Sequence, residues 1–356
     1  ATDPLGRITE VAYDDAGRIV SRTLPDGATV AYDRDARGFL SALHTPGGAA
    51  YAMEFSPRGH LLRLELPDVG SGTDAFLFER DDEDRLVRVQ RPDGRQLDLS
   101  YDAGGHLTGI AGVTSTEDLT FSYDAASGHL STAASPEVTA TFTHDGLLLT
   151  EEGWSGAVSG TVAFDYDDRL RLSSMTIAGS APIAFAYDDD DLMTAAGDLS
   201  ILRTGPLGMP TQGSLGQLEE TLAYDQFGAL SDLRVTGSQG ELLHLAYEYD
   251  GIGRITQVTE TIEGAAHVDQ YHYDAGGRLV EVLRDGQPYE AASYDPDGNR
   301  TSYTGPGVGT VVASFDGRGR ILSQGAATYG HAPSGERTEM TDSSGTTSYV
   351  YDALGR

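Results

Sequence analysis

The chain has 356 residues, a formal net charge of −31 and no cysteine. These features exclude disulfide staples and thiolate metal sites, and so acidic a surface argues against phosphate contacts to nucleic acid and against binding to anionic membrane. No run reaches the about 18 apolar residues of a helical membrane span, and 45 glycines without a sustained 3.6-residue apolar pattern predict little helix.

Taken along the chain, the first recurring element is Tyr-Asp-x-x-Gly-Arg followed by Leu or Ile. Full copies run from Tyr13 to Ile19, Tyr249 to Ile255 and Tyr273 to Leu279. Looser copies begin at Tyr32, Phe55, Tyr101, Tyr123, Tyr166, Tyr187, Tyr224, Tyr294, Phe315 and Tyr351. Most neighbouring copies lie roughly 19 to 25 residues apart, the period of stacked supersecondary units that cannot bury their apolar faces alone. The key positions are Tyr13, Asp14, Gly17 and Arg18; Tyr101, Asp102 and Gly105; Tyr249, Asp250, Gly253 and Arg254; Tyr273, Asp274, Gly277 and Arg278; and Tyr351, Asp352, Gly355 and Arg356.

Within a copy, Asp at i and Gly at i+3 predict a type I turn. Asp295-Pro296-Asp297-Gly298 and Asp3-Pro4-Leu5-Gly6 add proline at i+1, and Ser56 replaces Asp in another turn. Asp35-Ala36-Arg37-Gly38 keeps the turn after an insertion. A second set of turns, Leu24-Pro25-Asp26-Gly27 and Arg91-Pro92-Asp93-Gly94, lies between copies. The flanks alternate: Leu97, Leu99 and Tyr101 share one face, as do Val162, Phe164 and Tyr166, and Leu243, Leu245, Tyr247 and Tyr249. The repeated Tyr and the Leu or Ile after Arg are expected to form a ladder across strands. Each repeat is then two strands and two turns, giving an antiparallel meander of on the order of thirty strands. Accumulated twist predicts a coiled sheet.

Residues 1–356 read as one continuous repeat array. The stretch 140–215 is degenerate: His144-Asp145-Gly146, Tyr166-Asp167-Asp168 and Tyr187 to Asp191 depart from the pattern, and Leu202 to Gly216 lacks Tyr-Asp. A seam, a contact site and simple drift in surface turns all fit this, drift being the preferred reading. Both ends fall inside repeats, so an internal segment of a longer polypeptide is expected.

Candidate chemistry is sparse. His60, His106 and His129 occupy the Arg position and read as repeat variants. His267 and His272, with Asp269 between, lack a recognised zinc spacing, and His272 is expected to point away from the Tyr face. Asp188 to Asp191 reads as a solvated turn. Calcium there, or at Asp165, Asp167 and Asp168, suits the carboxylates but lacks EF-hand spacing. Asn299-Arg300-Thr301 is a formal glycosylation sequon read as chance. Arg18, Arg254 and Arg278 are expected to pair across their turns with the Asp four residues earlier. Trp154, among turn residues, is a possible ligand contact, although local packing is the preferred reading. No catalytic residue, metal site or cofactor is expected.

The repeated copies resemble the YD repeats of Rhs proteins, of the cargo-encapsulating subunits of insecticidal toxin complexes, and of teneurins. The resemblance covers essentially the whole chain. It implies an all-β fold in which tandem antiparallel hairpins wind into a spiral β-sheet shell, here an open segment of a larger one. It further implies a non-catalytic wall around or presenting a C-terminal toxin or effector, secreted or at the cell surface of a bacterium. The partners would be the rest of the parent polypeptide and its cargo, without nucleic acid or a membrane span. An extracellular adhesion or carbohydrate-binding module, contacting a surface protein or glycan, is the first alternative. A structural surface protein self-associating through its repeat edges is the second. The Rhs-type processing segment resembling Asp-Pro-x-Gly-Leu is not matched, because Asn299 follows Gly298 and Arg7 follows Gly6.

Overall fold

The computed structural model describes residues 1–356 apart from 71, 73 and 113–117. Among the described residues the fold is all-β, with 33 strands in an antiparallel sheet. A 3-10 turn, Pro206–Gly208, interrupts them inside the stretch that lacks Tyr-Asp. Glu10–Tyr13 pairs with Ile19–Thr23, which pairs with Thr29–Arg34 and then Leu40–His44. The same hairpin-to-hairpin order runs from Leu119–Tyr123 to Ala265–Tyr273. The chain forms two compact units. Unit 1 contains Ala1–Gly105 and Tyr271–Arg356 with a short stretch from Ile110; unit 2 contains His106–Gly109 and Asp118–Gln270.

The turn chemistry is local and repetitive. At Asp14 the backbone carbonyl accepts the Gly17 N–H at 2.9 Å. The Asp14 Oδ1 accepts the N–H groups of Ala16 and Arg18, and its Oδ2 accepts Arg18 Nε at 2.8 Å. Asp250, Asp316 and Asp352 make the same set. Gly17 has φ 77°, the left-handed geometry that glycine reaches without a Cβ penalty. A register shift recurs directly before the motif ring, at Ala12/Tyr13, Ser122/Tyr123 and Glu248/Tyr249. Such bulges turn the chain sharply into the hairpin and increase local twist.

This geometry survives where the motif fades. Leu170 and Asp191, each with φ 63°, hold the left-handed position after Asp167 and Asp188. Asp84, with φ 65°, does so after Asp81. Backbone N–H groups donating to the Asp carboxylate, rather than glycine alone, hold these turns. Register also corrects the copy assigned to Tyr32. There the shift falls at Asp33/Arg34, and Arg34 pairs with Leu40 as Tyr13 pairs with Ile19. Two further copies, Arg80 to Leu86 and His331 to Arg337, escaped the sequence pattern because Arg and His replace the ring-bearing Tyr.

Burial is shallow because side chains pack mainly on same-face neighbours of the sheet. Among the described residues Val282, Ala313 and Ala353 are the buried apolar side chains. The strand Ala50–Phe55 alternates exposed and half-buried positions as its sequence predicts. The motif rings sit on the more protected face but are half-buried, not enclosed; Tyr13 is 60% exposed.

Candidate functional site

Each repeat is coupled to the next by the motif side chains. The Tyr101 hydroxyl donates to the Leu86 carbonyl at 2.8 Å, and the Arg85 guanidinium lies 5.0 Å from the Tyr101 ring centroid. Tyr187 repeats this with Leu172 and Arg171, and Tyr294 with Leu279 and Arg278. Tyr123, Tyr166 and Tyr249 donate to Leu107, Leu149 and Leu230. The acceptor next to the Arg position belongs to the preceding repeat. The Arg therefore has two tasks: it closes its own turn through Asp and roofs the ring of the following repeat. A guanidinium over an aromatic face is attractive in its own right. Arg278 also donates from Nη1 to the Asp295 carbonyl at 3.0 Å.

The substitutions preserve the coupling. Where His106 takes the Arg position, it stacks on Tyr123 at 4.7 Å. Phe39 in that position stacks on Phe55 at 5.4 Å. Arg34, replacing Tyr, donates to the Ile19 carbonyl, the acceptor a Tyr hydroxyl would use. His129 and His144 fill both positions at once, with ring centroids 4.9 Å apart. This inter-repeat pairing was missed from sequence because the Arg and the ring it covers lie in different copies.

A second arrangement lies within unit 1. Motif turns of Tyr271–Arg356 meet the intervening turns of Ala1–Gly105 side by side. Asp297 Oδ1 accepts the Gly47 N–H at 2.7 Å. Arg278 reaches Asp26 at 3.3 Å. Arg318 donates to the Pro67 carbonyl at 2.8 Å and pairs with Asp74 at 2.6 Å, the two side chains only 5% and 11% exposed. Arg91 pairs with Glu336 and donates to the Ala353 carbonyl; Arg95 donates to the Tyr351 and Asp352 carbonyls. Ser334 donates to Asp93 at 3.0 Å. These partners stand 241 to 262 residues apart. Close approach needs small turn residues: a Cβ on Gly276 would lie 2.6 Å from Asp26 Oδ2.

Electrostatics at these turns follow the hydrogen bonds. Burial alone would raise the Asp316 carboxyl, but the Arg320 backbone and side-chain donors outweigh it and hold it below the usual carboxylate range. Asp250 behaves alike with Arg254. Burial would also raise Glu336, yet Ser334 and Arg91 bring it down. Burial and then Arg320 lower His331.

Other sequence candidates are absorbed into the sheet. Trp154 lies in the strand Leu148–Ser155, not among turn residues, opposite Gly160. A Cβ on Gly160 would lie 2.6 Å from the indole, so the ring covers that glycine. Asp188 accepts turn N–H groups from Asp190 and Leu192, while Asp191 pairs with Arg169 and Arg171. Asp165 accepts Ser174 Oγ, and Asp167 pairs with Arg171. Asn299 takes the Arg position and donates to Asp295 Oδ2 at 2.9 Å. His272 is exposed beside the half-buried Tyr273, whereas Asp269 is buried in the same strand. Among the described residues no group of three or more His, Cys, Asp or Glu side chains is arranged to hold a metal ion.

Hairpins chained by a Tyr–Arg clamp and closed on Asp-x-x-Gly turns define a YD-repeat β-sheet protein. Residues 3–356 match the family model described as Teneurin YD-shell, and the chain belongs to that family. It is 24% identical to Teneurin-4 of Homo sapiens, covering 97% of this chain and 14% of that protein. It is 25% identical to Double-stranded DNA deaminase toxin A of Burkholderia cenocepacia, covering 100% of this chain and 25% of that protein. The chain thus spans a quarter or less of these relatives. The solved structure described as TcdB2-TccC3-TEV has the same fold, with a TM-score of 0.76 at 14% identity, covering 98% of this chain and 23% of that one.

Proposed function

We propose that this chain is a section of wall, without catalysis of its own, that encloses a toxic or effector segment C-terminal to it in the same polypeptide. The observation that carries this reading is the seam in unit 1. There a sheet docks one turn edge onto another through the buried Arg318–Asp74 pair and the Arg91–Glu336 pair. Docked edges hide polar groups that an open sheet would leave free to pair with other chains. The chemistry-bearing side chains reinforce it: Asp and Arg are occupied in turns, and Tyr and Arg in the clamp. The relative named as a deaminase toxin extends well beyond the part this chain matches. A secreted or cell-surface bacterial setting follows from the same reading.

The test is to express the parent polypeptide and take the intact mass of every species, before and after denaturation. A C-terminal fragment retained natively and released on denaturation supports enclosure. If protease removes the C-terminal segment as readily as the free segment while the repeats stay intact, the reading is overturned.

Edge association is the second reading, favoured by apolar hairpin tips in unit 2: Leu147, Leu207 and Phe227 are 86%, 95% and 86% exposed. Light scattering separates the two. Concentration-dependent growth abolished by charged substitutions at these tips supports association; a monomer at all concentrations excludes it. The adhesive reading has less support, since Trp154 is spent on covering Gly160.

A further inference from the structure

The clamp between the repeats at His129 and His144 differs from the others in its chemistry. His129 follows the turn opened by Asp124, in the Arg position; His144 is the penultimate residue of the strand Thr139–Asp145, in the Tyr position. Both imidazoles are half-buried and stacked, 26° from parallel. Neither ring has a hydrogen-bond partner among the described residues, so stacking is the link. Elsewhere in the chain Arg85 covers Tyr101, Arg171 covers Tyr187 and Phe39 covers Phe55. None of those pairs changes charge between about pH 5 and 8, whereas histidine does.

We propose that the His129–His144 pair is an acid-sensitive hinge in the wall, closed while at most one ring is protonated and loosened when both are. One proton makes the pair a cation over a neutral aromatic ring, the same arrangement as Arg over Tyr. A second places like charges in adjacent stacked rings, where they repel. Asp124, held ionised by the Ser127 and Ala126 donors, faces His129. Asp145 follows His144, and Glu151 pairs across from Thr143 on the adjoining strand. His106 approaches the Gly128 turn from the preceding repeat and stacks on Tyr123. A cavity of about 250 Å³ lined by Asp124, Ser131, Thr143 and His144 lets solvent reach the His144 ring. The hinge belongs to the wall itself and does not depend on what the wall encloses.

The test is native-state hydrogen exchange of the strands Leu130–Ala134 and Thr139–Asp145, corrected for intrinsic rates, at about pH 7 and about pH 5. The control is the strand pair Leu172–Ile177 and Ile183–Tyr187, whose clamp is Arg171 over Tyr187. Loss of the stacking link predicts opening about tenfold more frequent at about pH 5 in the His-clamped strands than in the control. The double variant His129→Arg with His144→Tyr installs the common clamp and should abolish that difference. His144→Phe, which keeps a ring but not the second proton, should do the same and guards against misfolding of the double variant. Equal acid response in wild type and both variants, or none in the wild type, overturns the hinge.

Discussion

Unit 1 and unit 2 are built from the same hairpins but use their turns differently. In unit 1, turns more than 240 residues apart interlock, and Arg318, Asp74, Arg91 and Glu336 leave solvent together. In unit 2, tips such as Leu147 and Phe227 stand in solvent, and stability rests on neighbour-to-neighbour clamps. The repeat motif therefore encodes coupling along the sheet in both units. The seam is an additional layer, specified by residues outside the motif such as Asp26, Gly47 and Asp74.

Acid should have the largest effect, because it acts on several carboxylates at once. The folded values of Asp316 and Glu336 lie below their ordinary ones. Their stabilisation is therefore whole above the unfolded value and is lost as pH falls through the folded value. His331, also held low, opposes protonation already below its ordinary value. Denaturant titrations across this range should show unit 1 losing stability as pH falls, with the loss beginning in the histidine range and deepening in the carboxylate range. A flat profile for unit 1 would break the contrast.

Arg318→Ala comes next. It removes the nearly buried guanidinium that pairs with Asp74 and donates to the Pro67 carbonyl, and should cost about 3 to 5 kcal/mol in unit 1, measured by chemical unfolding. Replacing both partners by apolar residues of similar volume should cost much less. Tyr101→Ala should cost about 2 kcal/mol, below the value for a fully buried ring because this one is half-buried. The same change at the 60% exposed Tyr13 should fall within about 0.5 kcal/mol of wild type. Equal losses at the two positions would mean that burial by the neighbouring repeat is not what the clamp contributes.

The smallest effect tests the degenerate turns of unit 2. Leu170 is 66% exposed at φ 63°, so Leu170→Gly relieves left-handed strain without losing much burial. It should stabilise by about 1 kcal/mol, seen as a higher unfolding midpoint. Destabilisation would show that the leucine is held there by a contact.

Much of the fold was legible because its determinants are local. Asp14 and Gly17 dictate a turn within four residues, and Leu97, Leu99 and Tyr101 declare one face of a strand within five. The pattern failed at Arg34, Arg80 and His331, where an unlike side chain occupies the Tyr register that only strand pairing reveals. Trp154 was read among turn residues because glycines flank it, yet pairing with Ala140 and Gly160 keeps it in a strand.

The sequence by itself determined the hairpin, its period and the family, since turn chemistry and alternation act over a few residues and repeat along the chain. Tertiary structure alone decided which Arg covers which ring and which turn meets which. Those contacts join residues from adjacent repeats, or segments some 250 residues apart, so their partners depend on strand register and on the path of the sheet.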